Sequence, residues 1–338
     1  MPNIVLIGGS AGSIDVLKRI LAGLPADFPA AVLIVVHVGT RESMLPTLLE
    51  RGSVLPVRHA VQGEPLVAGQ VLVAPPDVHL AVARDGERLY AQLSRGPKEN
   101  HSRPAIDPLF RSAAMQCGAD AIAVVLSGFL DDGTVGLQAI KICGGIAIVQ
   151  DPADAGVPEM PQSALQYNTV DFVRRIEEIA PTLAQLVNRV PVTAALESSA
   201  NDGGAERSPW IAVENRMFTE GGEMKDLDQI GTRVGLTCPE CGGAIWEIAG
   251  VQPLRYRCHT GHAFTARVLE LLQRGEAEEA LWAAVRALHE QELLFREMQR
   301  KASQEGTAGD YLRRADQTRQ HAQLLRDLIA TRMAFGPV

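Results

Sequence analysis

Two sets of residues in this chain have types and spacings that could do chemistry. The first is a hydroxyl, an imidazole and a carboxylate: Ser10, His37, and one of the adjacent pair Asp131 and Asp132. Ser10 lies in IGGSAGSIDVL, between an apolar run and a helical period. That would expose it at a strand-to-helix turn, where free N–H groups and the helix dipole favour negative charge. Such a turn suits a nucleophile whose acyl intermediate carries an oxyanion. His37 directly follows AAVLIVV, and an imidazole there can take the serine proton near neutral pH. Asp131 and Asp132 end the run AIAVVLSGFLDD, where a carboxylate would fix the imidazole tautomer. Spacing does not choose between the two, and either could simply cap the helix that follows.

The second set is Cys238-Pro-Glu-Cys241, with sixteen residues between Cys241 and Cys258, and His262 four positions after Cys258. Cys-x2-Cys followed by Cys-x3-His offers four ligands to a tetrahedral ion, and a closed set of this kind points to structural zinc. His259 competes with His262 for the fourth place.

The elements that must carry the first set follow from periodicity. The runs IVLI, AAVLIVV, VLVA, AIAVVL and GIAIVQ are rich in Val and Ile, as strands covered on both faces are. Helix candidates begin near Ser13, Met44, Pro108, Gly133 and Pro161. The alternation predicts an α/β fold with a doubly wound, mostly parallel sheet, whose strand ends converge on one crevice. In region 70–93, QVLVAP, HLAVAR and RLYAQLS follow one another without a helix, which predicts an inserted β-hairpin. His79, His101 and Arg103 are candidates to line the cleft, with surface hydrogen bonding the plainer role. Asp107 before Pro108 reads as a helix N-cap with proline at N1. Gly8, Gly9 and Gly12 do not reproduce G-x-G-x-x-G, so a nicotinamide site is not expected.

The expected organisation is a catalytic domain over 2–190, a linker over 191–235, a zinc-ribbon-like segment over 236–264 and an α-helical hairpin over 265–334. Leu281, Val285, Leu288, Leu294 and Met298 would form the hairpin's seam. The 338 residues allow about two folding units. With 46% hydrophobic and 21% charged residues, the chain is neither disordered nor fibrous. The 40 acidic residues exceed the 32 basic ones, for a net charge of −8, which argues against a nucleic-acid partner. No apolar stretch reaches membrane length and no secretory signal opens the chain, so a cytoplasmic protein without membrane insertion is expected.

In their order, IGGSAGSIDVL, VVHVG, GPKENHSRPAIDPLFRSAA and LSGFLDDGTVGLQAIK closely resemble the catalytic domain of the chemotaxis protein-glutamate methylesterase family, over about residues 2–190. The resemblance implies a triad of Ser10, His37 and Asp132. It also implies hydrolysis of glutamate γ-methyl esters on chemoreceptor-like proteins, deamidation of receptor glutamines, and no catalytic cofactor. Ala11 and Phe129 depart from the Thr and Met usual in the family. The catalytic domain is expected to start at residue 2 without an attached receiver. The ribbon-plus-helices tail resembles that of some stand-alone members, and its helices are a candidate docking surface for a signalling partner. The alternative class is a non-catalytic signalling adaptor that uses the same fold and tail.

Overall fold

A computed structural model describes residues 4–39, 41–188, 208–303 and 305–334. The chain divides into two compact units, Met1–Leu269 and Glu270–Val338.

The first unit is built on a seven-stranded sheet of β1 (Ile4–Gly9), β2 (Ala31–Val36), β3 (Val57–His59), β4 (Val71–Val73), β7 (Ala121–Val125), β8 (Ile146–Gln150) and β9 (Phe172–Arg174). Their order is β3-β4-β2-β1-β7-β8-β9, and all pairs are parallel. The chain winds outward from β1 through β2, then returns to β7 on the other side of β1. The carboxyl ends of β1, β2 and β7 therefore border the switch crevice where open α/β sheets bind ligands. The sheet is α/β and doubly wound, as the apolar runs predict.

Alternate residues of each strand enter different cores. Val5 and Ile7 pack with α1 (Ser13–Ala22), α2 (Leu45–Glu50) and α6 (Ile176–Val187). Ile4 and Leu6 face the core containing α3 (Ile106–Cys117), α4 (Thr134–Ile142) and α5 (Glu159–Tyr167). The inserted hairpin is β5 (His79–Asp85) with β6 (Arg88–Ser94), held to α3 by Val82 N–H donating to Ser112 Oγ at 3.0 Å. The segment QVLVAP contributes β4 to the parallel sheet rather than a hairpin strand.

Residues 189–207, in the segment expected as linker, lie outside the described residues. Beyond them come α7 (Pro209–Glu220) and α8 (Met224–Ile230), where Trp210, Ile211 and Leu227 are buried. A four-stranded antiparallel ribbon follows: β10 (Gly231–Thr237), β11 (Ala244–Ile248), β12 (Arg255–Cys258) and β13 (Ala263–Thr265). One continuous core joins Leu6, Phe110 and Val135 to Trp210, Ile211, Trp246 and Val251.

The helix α9 (Ala266–Lys301) leads into the second unit, which also contains α10 (Glu305–Ala334). Ala315, Ala322 and Ile329 repeat at seven-residue spacing and are buried, as are Val285 and Phe295. Leu294, expected in the seam, is exposed; the buried aromatic beside it, Phe295, packs under the Arg314 guanidinium at 4.3 Å. Among the described residues no helix is long and apolar enough to cross a membrane.

Candidate active site and metal centre

Ser10 follows β1 immediately. Its amide donates to Ser127 O at 2.9 Å, tying it to the loop after β7, and its carbonyl accepts from Ser13 N and Ser13 Oγ. Gly12, in the left-handed region at φ 80°, lets the chain turn into α1. His37 extends the β1–β2 pairing by donating from its amide to Gly9 O at 3.4 Å, and so reaches Ser10. Its Nδ1 lies 3.2 Å from Ser10 Oγ and its Nε2 lies 2.8 Å from Asp132 Oδ2. The adjacent acid is separated from this path, because Asp131 accepts from Thr265 Oγ1 at 2.8 Å. The structure thus brings Ser10, His37 and Asp132 together and answers which aspartate does so.

Asp132 is buried. Its Oδ2 also accepts from Ile106 N at 2.7 Å, and its Oδ1 accepts from Asn100 Nδ2 at 2.8 Å and Gly133 N at 3.0 Å. Burial alone would raise its pKa. The His37 hydrogen bond and charge, with the Ile106 and Asn100 donors, overcome that and hold it below the ordinary carboxylate value. With Nε2–H donated to this carboxylate, Nδ1 is free to accept the serine proton. That arrangement can generate an alkoxide and stabilise the imidazolium that results.

The crevice wall is glycine-dependent at Gly128. A Cβ there would lie 2.1 Å from Met160 Sδ and 2.8 Å from Ser10 Cβ. Gly128→Ala is therefore expected to displace the Ser10 turn and destabilise the fold by about 1–3 kcal/mol, measured by urea denaturation. Phe129, beside it, is 57% exposed.

Two other expectations change in the structure. Asp107 is not the N-cap of α3, a position taken by Ala105. Its buried carboxylate instead turns to the start of α4, accepting from Gly133 N at 3.1 Å and Gly136 N at 2.7 Å. His79 is fully buried, accepting from Ala105 N and meeting Pro97 O at 3.0 Å, so it braces the 97–105 loop from inside. Arg103 holds Asp77 and the carbonyls of Arg95 and Gly96. Arg103 and His101, the latter paired with Glu240, both have the expected role of surface hydrogen bonding.

Sequence reasoning missed a buried charged cluster behind Asp132. Arg111 forks onto Glu99 at 2.9 and 3.0 Å, and Arg255 reaches Glu99, Glu214 and Asp107 at 2.6, 2.9 and 2.9 Å. Arg257 meets both glutamates. Burial opposes ionisation of Glu214, but Arg255, Arg257 and Arg111 lower its pKa to about 2; the same arginines hold Glu99 well below its usual range. Burial and the Asp132 charge push Asp107 up to about 7 against the pull of Arg255. The signal available in the sequence was Arg255-x-Arg257, two arginines on one face of a short strand.

In the ribbon, Cys238, Cys241, Cys258 and His262 bring their ligand atoms within 4.8 Å of one another. The Cys241–Cys258 sulfurs are 3.8 Å apart, and His262 Nδ1 lies 3.7 and 3.5 Å from Cys238 and Cys258 Sγ. Four ligands about 2.3 Å from a central ion would have edges of about 3.8 Å, so this donor set fits a tetrahedral thiolate-rich site. His259 is exposed, stacked at Gly243, and outside the set.

The parallel α/β sheet thus carries a hydroxyl, an imidazole and a carboxylate linked at its switch point. The chain belongs to the CheB methylesterase family, whose profile matches residues 5–183. It is 38% identical over 183 residues to a provisionally named protein-glutamate methylesterase/protein-glutamine glutaminase of Leptospira interrogans, covering 54% of this chain and 93% of that one. It is 40% identical to protein-glutamate methylesterase/protein-glutamine glutaminase 2 of Anaeromyxobacter dehalogenans, covering 54% of this chain but only 53% of the relative. The crystal structure of the Thermotoga maritima CheB methylesterase catalytic domain superposes with a TM-score of 0.54 at 33% identity, covering 55% of this chain and 99% of that domain.

Proposed function

We propose that the chain hydrolyses glutamate γ-methyl esters on methylated chemoreceptor-like proteins, and deamidates receptor glutamines through the same acyl intermediate. The observation carrying this reading is the unbroken path from Ser10 Oγ through both ring nitrogens of His37 to Asp132, inside the segment that matches the family. His37 Nδ1 takes the Ser10 proton as Oγ bonds to the ester carbonyl carbon. The imidazolium then returns that proton to the departing methoxide, releasing methanol. Water, deprotonated by His37, cleaves the acyl-serine to free glutamate and restores Ser10. Asp132 stays ionised and fixes the Nε2–H tautomer. The amides of Ala11 and Phe129 are the donors for the oxyanion, and the exposed Phe129 ring meets the substrate beside it.

For the ribbon, Cys238, Cys241, Cys258 and His262 hold one zinc ion, whose chemistry is to cross-link the strands with all four positions filled. Elemental analysis is expected to find one zinc per chain, and His262→Ala is expected to lower that occupancy while the exposed His259→Ala leaves it unchanged.

The test of the hydrolase is methanol release from receptor helices methylated with labelled methyl groups. Methanol released as the label leaves the protein supports the reading. A fully zinc-loaded chain that leaves the helices methylated overturns it and favours an adaptor.

A further inference from the structure

The ribbon that carries the Cys/His set is wired to the Ser10 site by side chains. On β12, Arg255 donates from Nη1 to Asp107 Oδ2 at 2.9 Å. Asn100 Nδ2 donates to that same oxygen and to Asp132 Oδ1, each at 2.8 Å. Two hydrogen-bonded residues therefore separate a ribbon guanidinium from the carboxylate that holds His37. The backbone tightens the link: Asn100 N–H donates to Ala263 O on β13 at 2.8 Å, and Thr265 N–H donates to Asn100 Oδ1 at 3.2 Å. Asn100 and His101 both occupy the left-handed region, at φ 50° and 61°. Such a conformation persists only where surrounding contacts determine it, and here those contacts include ribbon strands. Arg255 lies three residues from the ligand Cys258, within the strand that the ligand ends.

We propose that Arg255 is a positioning residue for the Asp132–His37–Ser10 path, and that metal binding in the ribbon thereby controls whether the hydrolase is competent. This rests on the hydrolase reading above. Without Arg255, Asp107 loses the only cationic partner within hydrogen-bonding distance that it has among the described residues. Asp107 also accepts the Gly133 and Gly136 amides, so the turn into α4, in which Asp132 lies, moves with it. Without the metal, β12 keeps its pairing with β11 and β13 but its end loses the cross-link from Cys258 to Cys238, Cys241 and His262, and the strand that carries Arg255 is loosened.

Arg255→Lys keeps the charge but not the fork that reaches three acids. In the full zinc-loaded chain it is expected to lower kcat for methanol release about 10- to 100-fold, as small displacements of reacting groups do. KM should stay within about twofold, since the substrate surface is unchanged. Amide hydrogen exchange should quicken at Ile106, Gly133 and Gly136, whose donors end on Asp132 and Asp107. Stripping zinc from the wild type should reproduce both effects, and zinc should reverse them. Arg216→Gln, an exposed change on α7, should alter neither. Should Arg255→Lys fail to fold, Asn100→Ser interrupts the same path while leaving every charge in place, and a lowered kcat is expected there too.

Wild-type kcat with unchanged exchange at those three amides, in folded Arg255→Lys or in Asn100→Ser, overturns the positioning role. Undiminished kcat in the metal-free chain overturns the metal coupling. If wild type releases no methanol, the hydrolase reading has failed instead. The exchange measurements then still decide whether Arg255 and the metal hold the Asp132 loop.

Discussion

Asp132→Asn is expected to lower kcat for methanol release by about 10⁴-fold, the scale seen when a triad carboxylate becomes an amide. The reason lies in how its oxygens are used. Oδ2 accepts from His37 Nε2 and Ile106 N, and Oδ1 accepts from Asn100 Nδ2 and Gly133 N. An amide NH2 in either orientation faces donors. If it faces His37, the ring is driven to the opposite tautomer, with its proton on Nδ1, where it cannot accept from Ser10. If it faces Asn100 and Gly133, those groups lose a buried acceptor, at about 1–3 kcal/mol. Steady-state kinetics on methylated receptor helices, with a denaturation curve alongside, separates the two costs. Activity within tenfold of wild type in a folded variant removes Asp132 from the mechanism. Ser10→Ala should show a loss at least as large.

The residues of this path were legible because each ends an apolar run, and in a doubly wound sheet such ends share one rim. Asp132 could not be separated from Asp131 by position. What separates them is Thr265, more than a hundred residues away, which takes Asp131. Apart from the Arg255-x-Arg257 spacing, the charged cluster was hidden for a related reason: Glu99, Arg111, Glu214, Arg255 and Arg257 read as surface residues until partners from distant segments bury them together. His79 was misjudged on the same ground, since a polar side chain in a hairpin reads as exposed. The helices α7 and α8 hid in a stretch of small and charged residues too short for clear periodicity. The four members of the Cys/His set are close in sequence, so their spacing alone was informative.

Glu99→Gln is expected to destabilise the fold by about 3–5 kcal/mol, because it takes from the buried Arg111, Arg255 and Arg257 one of the cluster's three acids, one that, like Glu214, pairs with all of them. The exposed pair Arg19–Glu177, 3.5 Å apart, sets the contrast: Glu177→Gln should change stability by less than about 1 kcal/mol. Calorimetry on both variants checks the difference. The cluster also fixes an acid limit. Glu214 has a folded pKa of about 2 against an ordinary 4.5. Its contribution, about 3 kcal/mol, is fully present above pH 4.5 and is lost as pH falls towards 2. Denaturation midpoints measured across that window should fall steeply for wild type and less steeply for Glu214→Gln, which starts lower. Equal slopes would mean that the cluster is not ionised as its geometry requires.

The core that runs without a break from Leu6 and Phe110 to Trp246 and Val251 bears on how such a chain can be inherited. In this chain the stretch shared with its relatives is packed against the ribbon. Cut away from the rest, it would present a greasy flank and orphaned acids to water; a relative without the ribbon must seal that flank with other residues. A change at Asp107 or Glu99 therefore removes a partner of Arg255, some hundred and fifty positions later in the chain.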